Sequence, residues 1–208
     1  MEHRGSKATD HHGSQDVANE VAIVRELLAG AIAAHERVKA GDLAPIVAAA
    51  AAIRAALRAD RMVLVFGNGG SATDAQHFAA ELVGRFERER RGAAAVALTT
   101  DTSVLTSVSN DYGFERVFAR QIEALGRRGS VAVGISTSGE SANVLRAFEA
   151  AGTAGMTRIA LTGRDGGALG RAADIHVNVP ESSTARVQEV HRTILHAICE
   201  LVERDLQK

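Results

Sequence analysis

A glycine-rich turn followed by a histidine and a glutamate is the stretch whose residue types could do chemistry. Residues 67–81 hold three glycines in the first four positions, then His77 and Glu81. Glycines let a backbone approach a ligand closely, and we expect Ser71 to cap the helix that follows. His77 and Glu81 project from one helix face because they are four residues apart, so they could bind zinc or transfer protons. The segment predicts a small-molecule site at the carboxyl edge of a parallel sheet.

The last predicted helix supplies a second set of polar side chains. Gln188 and His196 could add an oxygen and a nitrogen to the first pair, and three protein ligands with an open position are usual for catalytic zinc. The two residues are eight positions apart, which is about 12 Å of helix rise and about 80° of rotation. Both can serve one site only if it lies between them. We expect His191, on a different face, to be structural or solvent-facing.

A hydroxyl-rich loop is the candidate phosphate site. Residues 136–141 read Ser-Thr-Ser-Gly-Glu-Ser and lie between a predicted strand and a predicted helix. Hydroxyls and free N–H groups at a helix start suit a phosphate monoester, and a simple capping turn is the alternative. The Gly-Lys-Ser/Thr of a P-loop is absent, which argues against nucleoside triphosphates and leaves room for a sugar phosphate. Since a carboxylate repels phosphate, Glu140 must point outward or pair with a cation.

A dinucleotide cofactor is disfavoured. The turn at 67–72 matches only the looser form of the dinucleotide fingerprint, with Ala72 in the third glycine position. No acidic ribose-binding residue follows about 20 positions later at a strand end. We therefore expect no nucleotide or redox cofactor.

Alternating apolar runs and helical segments predict the elements that position these loops. We expect an α/β fold with a doubly wound, five-stranded parallel sheet and an N-terminal helical hairpin. The domains would be a disordered tail at 1–15, a hairpin for oligomerisation at 16–60 and the sheet domain at 61–208. A charged, exposed loop is predicted at 85–91. The predicted strands are 62–66, 93–98, 131–135, 158–162 and 175–179.

Composition excludes several classes of partner. The net charge is −1, aromatic residues make up 3% and tryptophan is absent, so we expect neither nucleic-acid nor membrane binding. No apolar run approaches the ~20 residues that span a bilayer. The single cysteine, Cys199, suits a reducing, cytoplasmic compartment and a buried thiol. His11 and His12 fit a disordered tail better than a metal site, and the first fifteen residues lack the apolar segment of a signal peptide.

Four segments resemble the SIS-domain (sugar isomerase) family, and within it the phosphoheptose isomerases. The likeness extends over about residues 17–206. The segments are GNGGSATDAQHFAAEL at 67–82, ALTTDTSVLTSVSNDYGFERVFARQ at 97–121, STSGESANVL at 136–145 and VQEVHRTILH at 187–196.

The resemblance implies a SIS fold and a ketose–aldose isomerase. Its substrate would be a phosphorylated seven-carbon sugar, sedoheptulose 7-phosphate, converted to D-glycero-D-manno-heptose 7-phosphate through a cis-enediol. It also implies a homotetramer with active sites between subunits. The positions that match substrate contacts are Asn68, Gly69, Ser71, Arg85, Asp101, Ser136, Thr137, Ser138, Ser141 and Gln188.

Two roles compete for the same side chains. Some members of the resembled family bind zinc, through positions that match His77, Glu81, Gln188 and His196. The same Glu81 and His196 match an acid/base pair that moves protons. An intersubunit site would relieve the spacing problem on the last helix, because the two pairs of residues need not come from one chain.

Two other functions stay open. A bacterial regulator of the same fold is a non-catalytic tetramer that binds a replication-initiation protein, and it has no need of the complete His77, Glu81, Gln188 and His196 set. Another phosphosugar isomerase or etherase is the second alternative. The short single domain and the lack of a glutamine-hydrolysing partner disfavour amino-sugar isomerisation.

Overall fold

An all-parallel sheet of five strands forms the centre of the chain. The computed structural model describes the backbone of residues 10–206 and the side chains of residues 16–206. The strand order is β2-β1-β3-β4-β5, and every neighbouring pair is parallel. This confirms the predicted doubly wound sheet. The strands are β1 (Val63–Gly67), β2 (Ala95–Ala97), β3 (Val131–Ser136), β4 (Thr157–Gly163) and β5 (Ile175–Val179).

Helices cover both faces of the sheet and bury two apolar cores. Alternate residues of β1 point to opposite faces, as the two-residue period of a strand requires: Val63 and Val65 join one core, Leu64 and Phe66 the other. The first core packs under α2, α3 and α8, and the second under α4 to α7. The helices are α1 (Asp10–Ala40), α2 (Ala44–Arg58), α3 (Gly70–Val83), α4 (Thr102–Tyr112), α5 (Val117–Leu125), α6 (Ala142–Thr153), α7 (Gly167–Ala172) and α8 (Thr184–Leu206).

The two N-terminal helices meet at an angle instead of lying side by side. The chain bends by 78° between them, so α2 packs on α8 and the sheet while much of α1 stays uncovered. Large apolar side chains of α1 are exposed, among them Val17 at 59%, Leu28 at 60% and Ile32 at 65%.

The N-terminal tail is described only in part. Helix α1 begins at Asp10, so it includes residues assigned to the tail. Residues 1–9 and the side chains of His11 and His12 lie outside the described residues. By length and hydropathy, no single described helix can cross a membrane, and only the bent pair 16–40 and 44–58 passes that test jointly.

Three predictions of local structure are wrong. Strand β2 has three residues, Ala95–Ala97, and not the predicted six, because within residues 10–206 it lies at the sheet edge with β1 as its single neighbour. Helix α7 was missed because two of its six residues are glycines, which obscure a helical pattern. The charged loop at 85–91 is only partly exposed, since the side chain of Arg90 is 1% exposed and pairs with the buried Glu203.

Candidate active site

The two candidate loops start side by side at the point where the strand order reverses. Strands β1 and β3 are neighbours, and Gly67 at the end of β1 pairs in register with Ile135 of β3. Ligands of doubly wound sheets bind in the crevice at such a switch point. A Cβ at Gly67 would lie 2.7 Å from the Ile135 carbonyl oxygen, so only glycine lets the loops approach this closely.

The glycine turn starts helix α3 earlier than predicted. Gly69 is the N-cap residue and has a φ of 55°, a conformation that favours glycine. Ser71 therefore lies inside the first turn, 3% exposed, and the prediction that it caps the helix is wrong. A Cβ at Gly70 would overlap the side-chain amide of Gln188, so this glycine makes room for a residue of α8.

The hydroxyl groups of the serine loop converge. The Ser136 hydroxyl lies 2.9 Å from that of Ser141 and 3.4 Å from that of Ser138. The Ser138 oxygen also accepts a hydrogen bond from the Glu140 backbone N–H, at 3.2 Å. Such a group of hydroxyl donors at the start of helix α6 suits the oxygens of an anion.

Glu140 points away from these hydroxyls, as the phosphate interpretation requires. Its carboxylate accepts a 2.7 Å hydrogen bond from the Ala168 N–H at the start of α7. The guanidinium of Arg171 lies 3.9 Å from the same oxygen. The carboxylate is thus held by a helix start and a cation.

An amide pair ties the glycine turn to the serine loop. The side chain of Asn68 donates to Asn143 at 2.8 Å and accepts from it at 2.9 Å. Asn143 lies in the first turn of α6, directly after the loop. Because an amide has two N–H groups and two acceptor positions, Asn68 keeps one of each for a ligand.

One cavity of about 280 Å³ collects seven of the ten predicted substrate contacts. Its volume is close to the lower end of the range for small-molecule sites, about 300 Å³. Ser138, Arg85 and Asp101 are not among its lining residues. The lining comprises Asn68, Gly69, Gly70, Ser71, Ile135, Ser136, Thr137, Ser141, Thr184 and Gln188.

Arg85 and Asp101 have other surroundings in this chain. Arg85 has 62% of its side chain exposed and lies 3.4 Å from Glu89. The Asp101 carboxylate accepts a hydrogen bond from Val104 N–H at 3.0 Å and caps α4. It also lines a separate cavity of about 690 Å³ between β2, α4 and α5.

A cluster of two histidines and a glutamate joins α3 to α8. The Nε2 atoms of His77 and His196 lie 2.7 Å apart, and His77 Nε2 lies 3.4 Å from a Glu81 carboxylate oxygen. All three residues belong to one chain, so an intersubunit arrangement is not needed to unite them. The suggested intersubunit relief of the spacing between Gln188 and His196 stays a prediction, because this trio does not include Gln188.

The protonation states of the two histidines are linked. A 2.7 Å contact between two ring nitrogens is a hydrogen bond only if one nitrogen donates and the other accepts, so at most one ring is cationic. Burial, with the nearby charges of Arg192 and His196, lowers the pKa of His77, while Glu81 acts in the opposite direction. The lowered pKa favours the neutral ring, and a neutral imidazole has a lone pair to offer to a metal.

The cluster fits a divalent metal with a small adjustment. One ligand atom from each of the three residues lies within 4.8 Å of the others. Zinc–nitrogen bonds of about 2.0–2.1 Å in a tetrahedron separate ligands by about 3.3 Å, so the two histidine nitrogens would part by about 0.6 Å. Gln188 lies two turns before His196 on α8, where its amide lies against Gly70.

Several residues beside the site were missed by sequence reasoning. Arg192 makes two hydrogen bonds, of 2.9 and 2.6 Å, to the buried carboxylate of Asp74. It lies four residues from both Gln188 and His196, so helical periodicity alone would have placed it on their face. Thr184, which lines the cavity, is likewise four residues before Gln188 and so lies on the same helix face.

His191 is fully buried and hydrogen-bonded to the Thr162 carbonyl. This confirms the structural role, one of the two that were expected.

The fold and the family comparison together define the class of this protein. Residues 27–163, more than half of the chain, match the SIS domain family. The parallel sheet with a hydroxyl-rich loop at its switch point is the architecture that the resemblance implied. The chain is thus a SIS-domain protein.

Relatives with high sequence identity show which family of SIS-domain proteins this chain belongs to. The phosphoheptose isomerase of Geobacter metallireducens is 56% identical over 168 residues, which cover 80% of this chain and 89% of that protein. The solved phosphoheptose isomerase of Neisseria gonorrhoeae has a TM-score of 0.84 and 48% identity, and covers 88% of this chain and 98% of its own. That of Francisella tularensis has a TM-score of 0.86 and 38% identity, with coverages of 89% and 99%. The chain belongs to the phosphoheptose isomerase family.

Proposed function

We propose that this chain is a ketose–aldose isomerase that converts sedoheptulose 7-phosphate to D-glycero-D-manno-heptose 7-phosphate. The observation that carries the proposal is a hydroxyl-rich loop at the start of α6, beside the glycine turn that starts α3, together with a His–Glu–His cluster that joins α3 to α8. From Gly70 to His77 the helix rises by about 10 Å. In this proposal an extended seven-carbon sugar with its phosphate in the serine loop would direct its C1–C2 end along α3 toward the cluster, whose three residues are not among the lining of the 280 Å³ cavity.

The reaction moves one proton between C1 and C2 and shuttles hydroxyl protons through a cis-enediol. In our proposal the carboxylate of Glu81 takes and returns the carbon-bound proton, and His196 exchanges protons with the sugar oxygens. A base and a proton donor with pKa values near the working pH are sufficient for this chemistry. Asn68, Ser71 and Gln188 would orient the sugar, and the Ser136, Thr137, Ser138 and Ser141 hydroxyls would bind the phosphate.

We also propose a zinc ion at the cluster. His77, Glu81 and His196 would hold it, with Gln188 as a further ligand. Since Glu81 and His196 would then be metal ligands, this is the competing role for the pair described above as acid and base, and the chelator experiment below decides between the two. Zinc would supply a Lewis acid that polarises the carbonyl oxygen. The lowered pKa of His77, caused first by burial, and the convergence of three ligand atoms support this assignment.

The assembly we propose is a homotetramer in the cytoplasm. The exposed apolar side chains of α1 support self-association, because apolar surface of this kind is stabilised by burial between subunits. Arg85 and Asp101, which lie outside the 280 Å³ cavity of their own chain, would then reach the substrate site of a neighbouring subunit. The single buried cysteine is compatible with a reducing compartment.

The test is incubation of the purified protein with sedoheptulose 7-phosphate, with and without a chelator, followed by determination of product stereochemistry. We expect a heptose 7-phosphate aldose, and a loss of activity in chelator that added zinc restores. Activity that persists after complete metal removal would contradict the zinc assignment. The acid/base role of Glu81 and His196 would then remain as the proposed mechanism. Absence of any aldose product with metal-loaded protein would contradict the isomerase proposal and favour the non-catalytic regulator.

A further inference from the structure

A buried carboxylate at the far end of α8 organises the loop after α3. The side chain of Glu203 is completely buried, and its oxygens accept hydrogen bonds from the backbone N–H groups of Phe86 at 2.8 Å, Glu87 at 2.9 Å and Arg88 at 3.0 Å. The Nε–H of Arg90 donates a fourth, at 3.0 Å. Burial alone would raise the pKa of Glu203, but the backbone donors and the guanidinium hold it below its usual value.

The partner of this carboxylate fixes the end of the helix that carries Glu81. The guanidinium of Arg90 donates to the backbone carbonyl oxygens of Glu81 and Leu82, each at 2.8 Å, and of Gly84 at 3.4 Å. The carbonyls of Glu81 and Leu82 have no partner within α3, which ends at Val83, and that of Leu82 also accepts from the Ala93 N–H at 2.9 Å. A cation at this helix end also interacts favourably with the helix dipole. Arg90 can stay at this buried place because Glu203 neutralises it.

The same loop reaches the other side of the cluster. The ring of Phe86 lies against that of His196, with centroids 5.4 Å apart and planes at 34°. The backbone N–H of Phe86 is one of the donors to Glu203. The carboxylate thus fixes the residue that covers the His196 imidazole.

We propose that Glu203 is a positioning residue: through Phe86 and Arg90 it sets the orientation of the His196 ring and of the helix end that bears Glu81. The inference rests on the proposed isomerase function for its kinetic consequence, but not for its geometry. Displacement of a reacting group by about 1 Å can cost about 100-fold in rate, so a loop held by four hydrogen bonds matters even though it supplies no reacting atom.

The variants for the test are Glu203→Gln and Phe86→Leu. Glutamine at position 203 keeps the shape of the side chain, but its NH₂ group faces backbone N–H groups that also donate and so cannot accept their hydrogen bonds. Leucine at position 86 keeps an apolar side chain but removes the aromatic ring. The matched control is Glu200→Gln, on the same helix. Glu200 also holds the loop, by a 3.0 Å ion pair with Arg88, but at a partly exposed place and without bonding to its backbone.

Two measurements separate positioning from simple destabilisation. The first is kcat and KM, at a temperature where every variant is folded. We expect both test variants to lose 10- to 100-fold in kcat with KM within twofold, and the control to stay within twofold in both. The second is the NMR chemical shift of the His196 ring protons in metal-free protein, which a neighbouring aromatic ring displaces. We expect this shift to change in both test variants and to stay in the control.

The NMR shift distinguishes failure of this inference from failure of the proposed function. If the wild-type protein has no isomerase activity, the proposed function is rejected. The NMR chemical shift of the His196 ring protons then tests the positioning role by itself. A Glu203→Gln variant that unfolds is replaced by Arg90→Lys, which keeps the charge but loses the fork of donors. Wild-type kcat, or an unchanged His196 shift, in folded Glu203→Gln or Arg90→Lys would overturn the proposal.

Discussion

The serine loop and the histidine cluster are built in opposite ways. The loop takes its hydroxyls from six consecutive residues, 136–141, whose spacing follows from one strand end and one helix start. The cluster joins α3 to α8, and its two histidines are 119 residues apart in the chain. One is a local structure, and the other depends on how two helices pack.

This difference separates binding from chemistry. Hydroxyls and backbone N–H groups at a helix start are oriented by the secondary structure itself, which makes the loop a preformed anion site. The reacting groups of the cluster keep their distances only while α3 and α8 stay in register. Two ion pairs link α3, or the loop that follows it, to α8: Arg192 with the buried carboxylate of Asp74, and the fully buried pair of Arg90 and Glu203. Changes in the loop should therefore alter KM, and changes in the cluster should alter kcat.

The largest expected effect is that of Glu81→Gln. The amide keeps the size of the side chain but cannot take a proton, so we expect kcat to fall by about 10²- to 10⁴-fold. KM and the oligomeric state, measured by steady-state kinetics and light scattering, should stay close to wild type. A near wild-type kcat would contradict the assignment of Glu81.

A smaller effect is expected from Ser138→Ala in the loop. Hydrogen bonds to charged groups contribute about 1.5–3 kcal/mol, so loss of one hydroxyl should weaken substrate binding about 10- to 100-fold. The weaker binding should raise KM and leave kcat nearly unchanged. Ser182→Ala is the matched control, because Ser182 lies outside the serine loop and its hydroxyl donates to the Glu181 carboxylate at 3.3 Å. Unchanged KM in Ser138→Ala would argue against a phosphate in this loop.

The same contrast explains what the sequence could predict. The five strands were predicted from mainly apolar runs of five or six residues between turn residues. The length of β2 was overestimated because β2 is the edge strand of the described sheet. The serine loop was found because its chemistry is contiguous. The cap was misplaced at Ser71 because the positive φ of Gly69, which starts the helix, is a property of the backbone and not of a residue pattern.

Packing decided the part that the sequence could not predict. The spacing of His77 and Glu81 places them on one face of α3, but only the contact between α3 and α8 brings His196 within 2.7 Å of His77. Phe86 and Glu203 were missed for the same reason. A charged run such as 85–91 looks solvent-exposed, and nothing in the run shows that Arg90 meets a buried carboxylate.

The smallest effect should come from Glu140→Gln, and it tests whether the serine loop is an anion site at all. A carboxylate among phosphate-binding hydroxyls would repel the substrate, and its neutralisation would lower KM. In the structure that carboxylate instead accepts from Ala168 N–H, and a glutamine oxygen can accept the same hydrogen bond. We therefore expect KM and kcat to change by less than about twofold, measured beside Ser138→Ala. A KM that is tenfold lower would mean that the Glu140 carboxylate turns toward the substrate and repels its phosphate. The serine loop would then not be a preformed anion site.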